Sequence, residues 1–285
     1  MILFFLILNV LFAVEPSYNY DKTPKDYDLK YKEVQIETKD SMKLNTWIIS
    51  ENENYSDVLI MLNTDIGNMS NFLPYAKYVS KNLKKAVVLF DYRGYGKSSK
   101  FTFSKYALSM IEFVEDTKSV IQYIHKLNPK SKVSLYGFSM GATIAVLASK
   151  DENIEGLFLD SPMIDPKDVM ARISNKNVFL DNEEQFNLTN AADQIRADEV
   201  FIIQGKNDNV VDANITTKFY SQLIVRKNIL ILENNKHGDL SHLYPDLYLN
   251  YLKTFLINWF ILLKYLNLLK SFLKGCDFPT PQISP

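Results

Sequence analysis

Short, nearly continuous apolar runs alternate along the chain with longer stretches in which apolar residues recur at helical spacing. Eight runs have the length and composition of β-strands: 31–38, 43–50, 57–62, 86–90, 132–136, 155–159, 199–204 and 228–232. Helical patterns lie between or after them at 71–83, 111–127, 139–149, 214–222 and 243–260. Apolar strands that alternate with helices indicate a mostly parallel sheet covered on both faces. No helix separates the first two strands, which are therefore predicted to form an antiparallel hairpin.

The most informative motif follows the fifth strand of this pattern. Residues 137–141 read Gly-Phe-Ser-Met-Gly, a G-x-S-x-G sequence that leads into a helical segment rich in small residues. In a nucleophile elbow the serine occupies so tight a turn that its hydroxyl stands clear of the sheet, and small neighbours let strand and helix pass closely. Gly137 and Gly141 meet this requirement. An ordinary strand-to-helix turn is the alternative, but the strand and helix that frame the motif favour Ser139 as a nucleophile.

A serine hydroxyl is a poor nucleophile at neutral pH, so this interpretation requires a histidine base and an acid that orients it. The chain contains three histidines. His125 falls in the last turn of a predicted helix, where a solvated or capping role is expected, and His242 falls where the next helix is expected. His237 lies in the loop beyond the last predicted strand and is predicted to be the base. A surface-loop histidine without a catalytic role is the alternative.

The acid that orients the histidine is likewise expected just beyond the end of a strand. Asp208 follows the strand at 199–204 in the sequence Gly-Lys-Asn-Asp, and we predict that it orients His237. Asp160, at the end of the strand at 155–159, is the rival acid. Asp212 is interpreted as a helix N-cap that needs no catalytic role.

Five ordered motifs resemble the α/β-hydrolase superfamily over about residues 31–260. They are Asp-Tyr-Arg-Gly-Tyr-Gly-Lys-Ser at 91–98, the elbow at 137–141, Leu-Asp-Ser-Pro at 159–162, Gly-Lys-Asn-Asp-Asn-Val-Val at 205–211 and His-Gly-Asp-Leu at 237–240. The order serine, aspartate, histidine is also the one this superfamily uses. Within it the chain most resembles the small-lid serine hydrolases, which include depalmitoylase-like and bud-emergence-like proteins. The resemblance implies the α/β-hydrolase fold: a mostly parallel eight-stranded sheet, helices on both faces and a short lid.

One piece of the family pattern is altered. Relatives usually carry His-Gly-Asn-Ala-Gly-Asn after the third strand, whereas residues 63–68 here read Asn-Thr-Asp-Ile-Gly-Asn. The resemblance implies an oxyanion hole made of two backbone N–H groups, which by position are those of Met140 and Asp65. A backbone donor survives side-chain changes, but the Asp65 carboxylate is unfavourable near a developing oxyanion unless it points away or is paired. Because loss of one donor costs about two to three orders of magnitude in rate, weak activity or a narrowed substrate range are open alternatives.

Length and composition fit one hydrolase domain at 31–260. A chain of 285 residues with 47% hydrophobic content can bury a sizeable single core. The polar segment 15–30 is interpreted as a lead-in, and the polar stretch at about 162–197 as a short lid, with a plain surface connection as the alternative.

Charge and cysteine usage exclude several other classes. The net charge of −1 and the lack of a basic stripe argue against a nucleic-acid partner. Cys276 is the single cysteine, and no histidine pair occurs at metal-ligand spacing on a helix. We therefore expect neither a metal nor another cofactor.

Both ends of the chain are apolar. Residues 1–14 have the length of a signal-peptide apolar region and are short for a bilayer span, although no basic residue precedes them and the cleavage site is poor. A signal peptide is the first interpretation and an uncleaved anchor the second, so the domain is expected to be exported or membrane-anchored. Residues 261–285 form an amphipathic extension that is interpreted as a membrane-surface contact, a core contact or a dimer contact. The oligomeric state is left open.

These features together predict a serine hydrolase that cleaves a small-molecule or acylated ester or thioester through an acyl-enzyme on Ser139. A serine peptidase would use the same residues. A non-catalytic hydrolase-like binding protein is the alternative from another class, and Asn63-Thr64 in place of His-Gly is its main support.

Overall fold

Eight strands form one central sheet in the computed structural model, which describes residues 14–52, 55–103, 110–174 and 186–257. In these ranges the strands are β1 (Glu15–Pro16), β2 (Tyr31–Glu37), β3 (Lys43–Ile49), β4 (Asp57–Leu62), β5 (Ile66–Gly67), β6 (Ala86–Phe90), β7 (Lys132–Phe138), β8 (Ile154–Asp160), β9 (Ala197–Gly205) and β10 (Arg226–Leu232). The sheet order is β10-β9-β8-β7-β4-β6-β3-β2, and β1 pairs separately with β5. Strands from β10 to β6 are parallel, whereas β3 is antiparallel to both β6 and β2. The predicted eight-stranded, mostly parallel sheet is confirmed, including its terminal hairpin.

Helices cover both faces of this sheet. They are α1 (Leu73–Tyr78), α2 (Met110–Leu127), α3 (Met140–Ala148), α4 (Pro166–Ser174), α5 (Ala213–Gln222), α6 (Asp239–Leu243) and α7 (Pro245–Ile257). Side chains of β4 show why the sheet needs two layers: Val58, Ile60 and Leu62 join the core that includes α2, α3 and α5, whereas Leu59 and Met61 join the core that includes α1 and α7. Each such side chain contributes about 1.5–3 kcal/mol when it is fully buried.

Two predicted helices are interrupted. The segment predicted at 71–83 consists of a 3₁₀ turn at Met69–Phe72, α1, and a π-helical turn at Val79–Leu83. The segment predicted from 243 is broken at Tyr244, which has φ −132° and ψ 58° and separates α6 from α7. Pro245 explains the second break, because proline pushes the preceding residue out of the helical region.

The lid region contains more structure than its polar sequence predicted. Its described parts include α4 and a 3₁₀ turn at Leu188–Asn190. Thr143 Oγ1 on α3 donates a hydrogen bond of 3.0 Å to the carbonyl of Met163. Arg172 of α4 donates to Asp168 at 2.7 Å and also pairs with Asp212 at the start of α5. These contacts fasten the lid region to the helices beside the predicted nucleophile.

The loop after β6, residues 91–98, is held by charged side chains. Arg93 donates to Asp116 at 2.9 and 2.6 Å and to Asp40 at 2.6 and 3.1 Å. Asp91 accepts a hydrogen bond from the Met69 N–H at 2.8 Å and another from the Tyr20 hydroxyl. Burial raises the pKa of Asp91 to about 6, against the lowering effect of these hydrogen bonds. The loop is thereby fixed beside the carboxyl ends of β4 and β6.

The described residues include no helix that is long and apolar enough to cross a membrane. The predicted signal peptide or anchor at 1–14 lies, apart from Val14, outside the described residues, and the amphipathic extension at 261–285 lies entirely outside them.

Candidate active site

Ser139 occupies a strained turn between β7 and α3. Its φ of 52° and ψ of −118° lie in a region that non-glycine residues rarely adopt. Such a conformation costs on the order of 1–3 kcal/mol and persists where the surroundings fix it. The Ser139 N–H donates to the Asp160 carbonyl at 2.9 Å, while the Ser139 carbonyl accepts from Ala142 and Thr143 at 3.0 and 3.2 Å. The backbone therefore has the geometry that the elbow motif predicts.

The two glycines of the motif are required by close packing. A Cβ on Gly137 would overlap backbone atoms of Gly141 and Ala142. A Cβ on Gly141 would lie 2.8 Å from the carbonyl oxygens of both Leu62 and Asn63. The loop after β4 thus lies directly against the start of α3.

Asp208 and His237 are joined by a hydrogen bond of 2.8 Å between Asp208 Oδ2 and His237 Nδ1. Asp208 also accepts from Gln204 Nε2 at 3.1 Å and from the N–H groups of Val210 and Val211 at 2.8 and 2.9 Å. Burial raises the pKa of Asp208, but the contact with His237 and these backbone donors lower it more, so its pKa lies below the ordinary value. Asp208 is an ionised carboxylate that fixes one ring nitrogen of His237.

The imidazole of His237 lies beside the elbow. Its ring centroid is 4.9 Å from that of Phe138, the residue directly before Ser139. The next residue, Gly238, is so close to the Phe138 ring that an added Cβ would lie 3.0 Å from it. Within the described ranges, Ser139 Oγ makes no hydrogen bond to His237, and such contacts are often long in unliganded enzymes.

The rival residues have other partners. Asp160 lies at the end of β8 and accepts a hydrogen bond of 2.9 Å from Ser161 Oγ. Burial raises the pKa of Asp160 to about 6. Asp212 caps α5 by accepting from the Asn214 N–H at 2.8 Å. His125 lies 3.3 Å from Ser131 Oγ at the end of α2, and His242 is exposed on α6.

The lead-in at 15–30 holds the loop after β4 at 63–68, the candidate oxyanion loop, and the sequence did not predict this contact. The N–H groups of Glu15 and Ser17 donate to the carbonyls of Asp65 and Gly67 at 2.7 and 2.8 Å. The Tyr20 hydroxyl binds Asp91 and accepts from Asn45 Nδ2 at 2.9 Å. A two-residue strand leaves no periodic pattern, and the only signal in the sequence is a set of tyrosines in an otherwise polar segment.

Asp65 is half-buried on this loop. Burial raises the pKa of its carboxyl, while its own backbone N–H and the nearby His237 act in the opposite direction. The Tyr95 hydroxyl donates to the neighbouring Thr64 carbonyl at 3.1 Å. In the described part of the chain, no group of three or more histidine, cysteine or acidic side chains is placed to hold a metal ion.

Comparison with known proteins agrees with this architecture. A family described as serine aminopeptidase, S33, matches residues 72–182, a range that includes Ser139 and ends before Asp208 and His237. Protein bem46 of Schizosaccharomyces pombe is 25% identical over 198 residues, which are 66% of this chain and 64% of bem46. The chain thus spans less than two thirds of that relative.

Two further similarities are to a yeast protein and to a solved esterase structure. An uncharacterized membrane protein of Saccharomyces cerevisiae, YNL320W, is 28% identical over 159 residues, or 54% of each chain. The esterase Pf2001 of Pyrococcus furiosus superposes with a TM-score of 0.69 at 24% identity, over 85% of this chain and 96% of the esterase. The chain has the α/β-hydrolase fold, and its residues 72–182 are similar to a hydrolase family. Its sequence is similar to that of the bem46-like group.

Proposed function

We propose that the protein is a serine hydrolase that cleaves carboxylic esters or thioesters, with Ser139, His237 and Asp208 as its catalytic triad. The observation that carries the proposal is the strained Ser139 turn at the end of β7, next to an imidazole that a buried aspartate already orients. Strain of this kind concentrates at functional sites.

The chemistry follows from the roles of the three side chains. Ser139 Oγ attacks the acyl carbon while His237 Nε2 takes the hydroxyl proton, and the Asp208 carboxylate stabilises the imidazolium. The backbone N–H groups of Met140 and Asp65 bind the oxyanion. The carbon–oxygen or carbon–sulfur bond then breaks, and His237 returns its proton to the departing alcohol or thiol. Water, deprotonated by His237, attacks the acyl-enzyme and releases the carboxylic acid together with free Ser139.

Two other functions use the same architecture. A serine peptidase would differ only in its amine leaving group, and the matched family's description as serine aminopeptidases favours this second candidate. A non-catalytic binding protein is favoured by Asn63-Thr64 and by the Asp65 carboxylate on the oxyanion loop.

A fluorophosphonate probe tests the proposal, because it labels only an activated serine. We expect labelling of the protein, and loss of labelling in Ser139→Ala and His237→Ala variants that unfold at normal denaturant concentrations. Ser161→Ala is the matched control and should still be labelled, since the Ser161 hydroxyl donates its hydrogen bond to Asp160 and not to a residue of the proposed triad. A panel of p-nitrophenyl esters, a thioester and aminoacyl p-nitroanilides then separates esterase, thioesterase and peptidase. A folded protein that resists labelling would favour the binding-protein alternative.

We also propose that the domain acts on its substrate outside the cytoplasm or at a membrane surface, as a signal peptide or anchor at 1–14 would require. The name of the yeast relative, a membrane protein, supports this location. The low net charge supports a small or acylated substrate over nucleic acid.

A further inference from the structure

We propose that Tyr95 is a positioning residue for the oxyanion hole: its hydroxyl holds the Thr64–Asp65 peptide so that the Asp65 N–H points towards Ser139. The inference deepens the proposed function and rests on it. It gives a role in the reaction to the loop at 91–98, a motif that the proposed mechanism otherwise leaves unused.

The first observation is a hydrogen bond to the peptide that carries the proposed donor. The Tyr95 hydroxyl donates to the Thr64 carbonyl at 3.1 Å, and this carbonyl belongs to the same peptide group as the Asp65 N–H. The described peptide bonds are all trans. A trans peptide is planar, and its C=O and N–H point in opposite directions. Because the carbonyl faces Tyr95, the Asp65 N–H points away from Tyr95.

The strand order shows what lies on the opposite side. In the sheet, β4 is placed between β6 and β7. Tyr95 is in the loop that follows β6, and Ser139 follows directly on β7. A peptide just beyond the end of β4 whose carbonyl faces the β6 side therefore directs its N–H towards the β7 side, which carries Ser139. The Asn63 carbonyl packs on that side too, because a Cβ on Gly141 would lie 2.8 Å from it.

The Asp65 N–H has no partner from another residue. Among the described residues, no carbonyl and no side chain other than its own carboxyl accepts a hydrogen bond from it. The Asp65 carbonyl, in contrast, accepts from the Glu15 N–H at 2.7 Å. The two peptides that flank Asp65 are thus fixed by separate contacts, and the N–H between them is left for an oxyanion.

Tyr95 is itself held rigidly. Its side chain is fully buried, and its ring makes edge contacts with Tyr92, Phe103 and Phe113 at centroid distances of 5.7, 6.3 and 5.7 Å. Its N–H donates to the Tyr92 carbonyl, and its carbonyl accepts from the Ser98 N–H, both at 2.9 Å. Burial raises the pKa of Tyr95 above its ordinary value, so the hydroxyl stays protonated and remains a donor. An oxyanion donor is most effective when it is fixed before the reaction, and a hydroxyl on a rigid ring provides this.

Tyr95→Phe tests the inference, because it removes the hydroxyl and leaves the ring among its aromatic neighbours. We expect kcat for p-nitrophenyl acetate to fall about 10- to 100-fold, because the peptide can rotate and the donor is misplaced. KM should change less than about threefold, since the bound ester has no oxyanion. Formation and hydrolysis of the acyl-enzyme both pass through an oxyanion, so kcat falls whichever step is slower. The Ki of a trifluoromethyl ketone, which forms an oxyanion adduct with an activated serine, should rise by a similar factor.

Tyr92→Phe is the matched control. It removes a hydroxyl from the same loop, on a ring that stacks against Phe113 at a centroid distance of 4.5 Å. The Tyr92 hydroxyl is buried and is not bonded to the described loop at 63–68. The control should therefore keep its kcat and Ki within about twofold of wild type. Urea unfolding of both variants shows that folded proteins are compared.

Three results would each overturn the inference alone: a folded Tyr95→Phe variant that keeps its kcat, one in which only KM changes, and one that loses no more activity than Tyr92→Phe. If Tyr95→Phe does not fold, wild type supplies a second measurement. Its Asp65 amide proton resonance should move downfield when the ketone adduct forms, and an unmoved resonance would also overturn the inference. A wild-type protein that neither hydrolyses the ester nor reacts with a fluorophosphonate would overturn the serine hydrolase proposal and this inference with it.

Discussion

Two buried aspartates near His237 have pKa values that are shifted in opposite directions. Asp208 receives three nitrogen donors besides the imidazole, and its pKa lies below the ordinary value. Asp160 is fully buried with a serine hydroxyl as donor, and its pKa is raised to about 6. Environments that separate the pKa values of two acids also separate their roles. Asp208 is thus suited to hold a charged imidazolium, whereas Asp160 is suited to a structural role beneath the elbow.

We predict that Asp208→Asn lowers kcat by about 10⁴-fold, because an amide holds the imidazole in the wrong tautomer. The readout is hydrolysis of p-nitrophenyl acetate. Asp212→Asn is the matched control: it makes the same chemical change four residues away, and asparagine caps a helix as well as aspartate does. The control should keep most of its activity. An Asp208→Asn variant with near-normal kcat would show that another acid, with Asp160 as the first suspect, orients His237.

Asp160 should make stability depend on pH in a defined window. Its folded pKa of about 6 exceeds the ordinary value of 3.8. Between pH 3.8 and about 6 the carboxyl is therefore mostly protonated in the folded state and mostly ionised in the unfolded state. The stability it contributes is complete below the ordinary pKa and is lost as pH rises through the folded pKa. Asp160→Asn removes this dependence. From about pH 4.5 to 7, wild type should lose about 2 kcal/mol of unfolding free energy relative to the variant.

Urea unfolding of both proteins at the two pH values measures this difference. The effect of Asp91, whose pKa is also raised to about 6, is common to both proteins and cancels. A difference between variant and wild type that stays constant with pH would contradict the raised pKa of Asp160.

At the scale of elements, the oxyanion loop depends on a segment far from it in sequence. β1 pairs with β5, and Tyr20 contacts Asp91, Asn45 and the Lys97 N–H. The lead-in thus connects the loop after β4 with the loop after β6. Catalysis requires donors that are placed in advance, so the lead-in is expected to affect rate as well as stability.

Tyr20→Phe tests this role, since it removes one hydroxyl and leaves the ring in its tilted contact with Trp47, with the ring centroids 4.7 Å apart. We expect a loss of about 1.5–3 kcal/mol in unfolding free energy, the usual worth of a hydrogen bond to a charged group. Because the oxyanion loop loses support, kcat should fall by up to about 100-fold.

Tyr18→Phe is the control for this prediction, because Tyr18 is two residues away and its side chain is 63% exposed. Its stability and kcat should match those of wild type. If Tyr20→Phe lowers stability while kcat is unchanged, the lead-in is a structural strap without influence on the oxyanion loop.

Elements with a strong local pattern could be predicted from the sequence. All eight sheet strands were predicted within a few residues, because most are short, nearly continuous apolar runs that the core must bury. Ser139 could be predicted as the nucleophile because a glycine lies two residues away on each side of it, at the junction of a strand and a helix. The pair β1–β5 could not be predicted, since two residues carry no period. The π-turn after α1 and the helix α4 could not be predicted either, because contacts with segments distant in sequence, such as the ion pair of Arg172 with Asp212, help to fix them.

The residues of the candidate site were likewise only partly predictable from the sequence. Chain order and strand ends were enough to propose Asp208 and His237, and the structure adds the hydrogen bond between them. The environment of Asp65 was only half predictable. The sequence indicates a carboxylate near the expected oxyanion, but its charged neighbours, Glu15 and His237, come from two segments that are distant in sequence. Contacts of this kind between distant segments leave no pattern in a single sequence.

At the scale of the whole molecule, the residues of the candidate site lie at one edge of the sheet, where the parallel strands have their carboxyl ends. Residues that follow β4, β7, β9 and β10 supply Asp65, Ser139, Asp208 and His237, in keeping with the rule that such sheets bind ligands at the carboxyl ends of their strands. β1 lies at the same edge, because it pairs with the strand that follows Asp65. Val14, directly before β1, packs against the hydrophobic core. An apolar segment at 1–13 therefore joins the domain beside the site, without a spacer.

This connection gives the last prediction. If residues 1–13 act as an anchor, the full-length protein expressed with a carboxyl-terminal tag should sediment with membranes, and a variant without residues 1–13 should remain in the supernatant. Deletion of 261–285 is the control for the other apolar end and should leave the full-length protein sedimenting. The intact mass separates the two interpretations, because a cleaved signal peptide gives a shortened soluble product and an anchor gives the full mass in the membrane fraction. A full-mass protein in the supernatant would exclude both. An anchored product would place the edge that carries Ser139 close to the bilayer, because the chain has no spacer before β1, and substrates at the membrane surface would then be within reach.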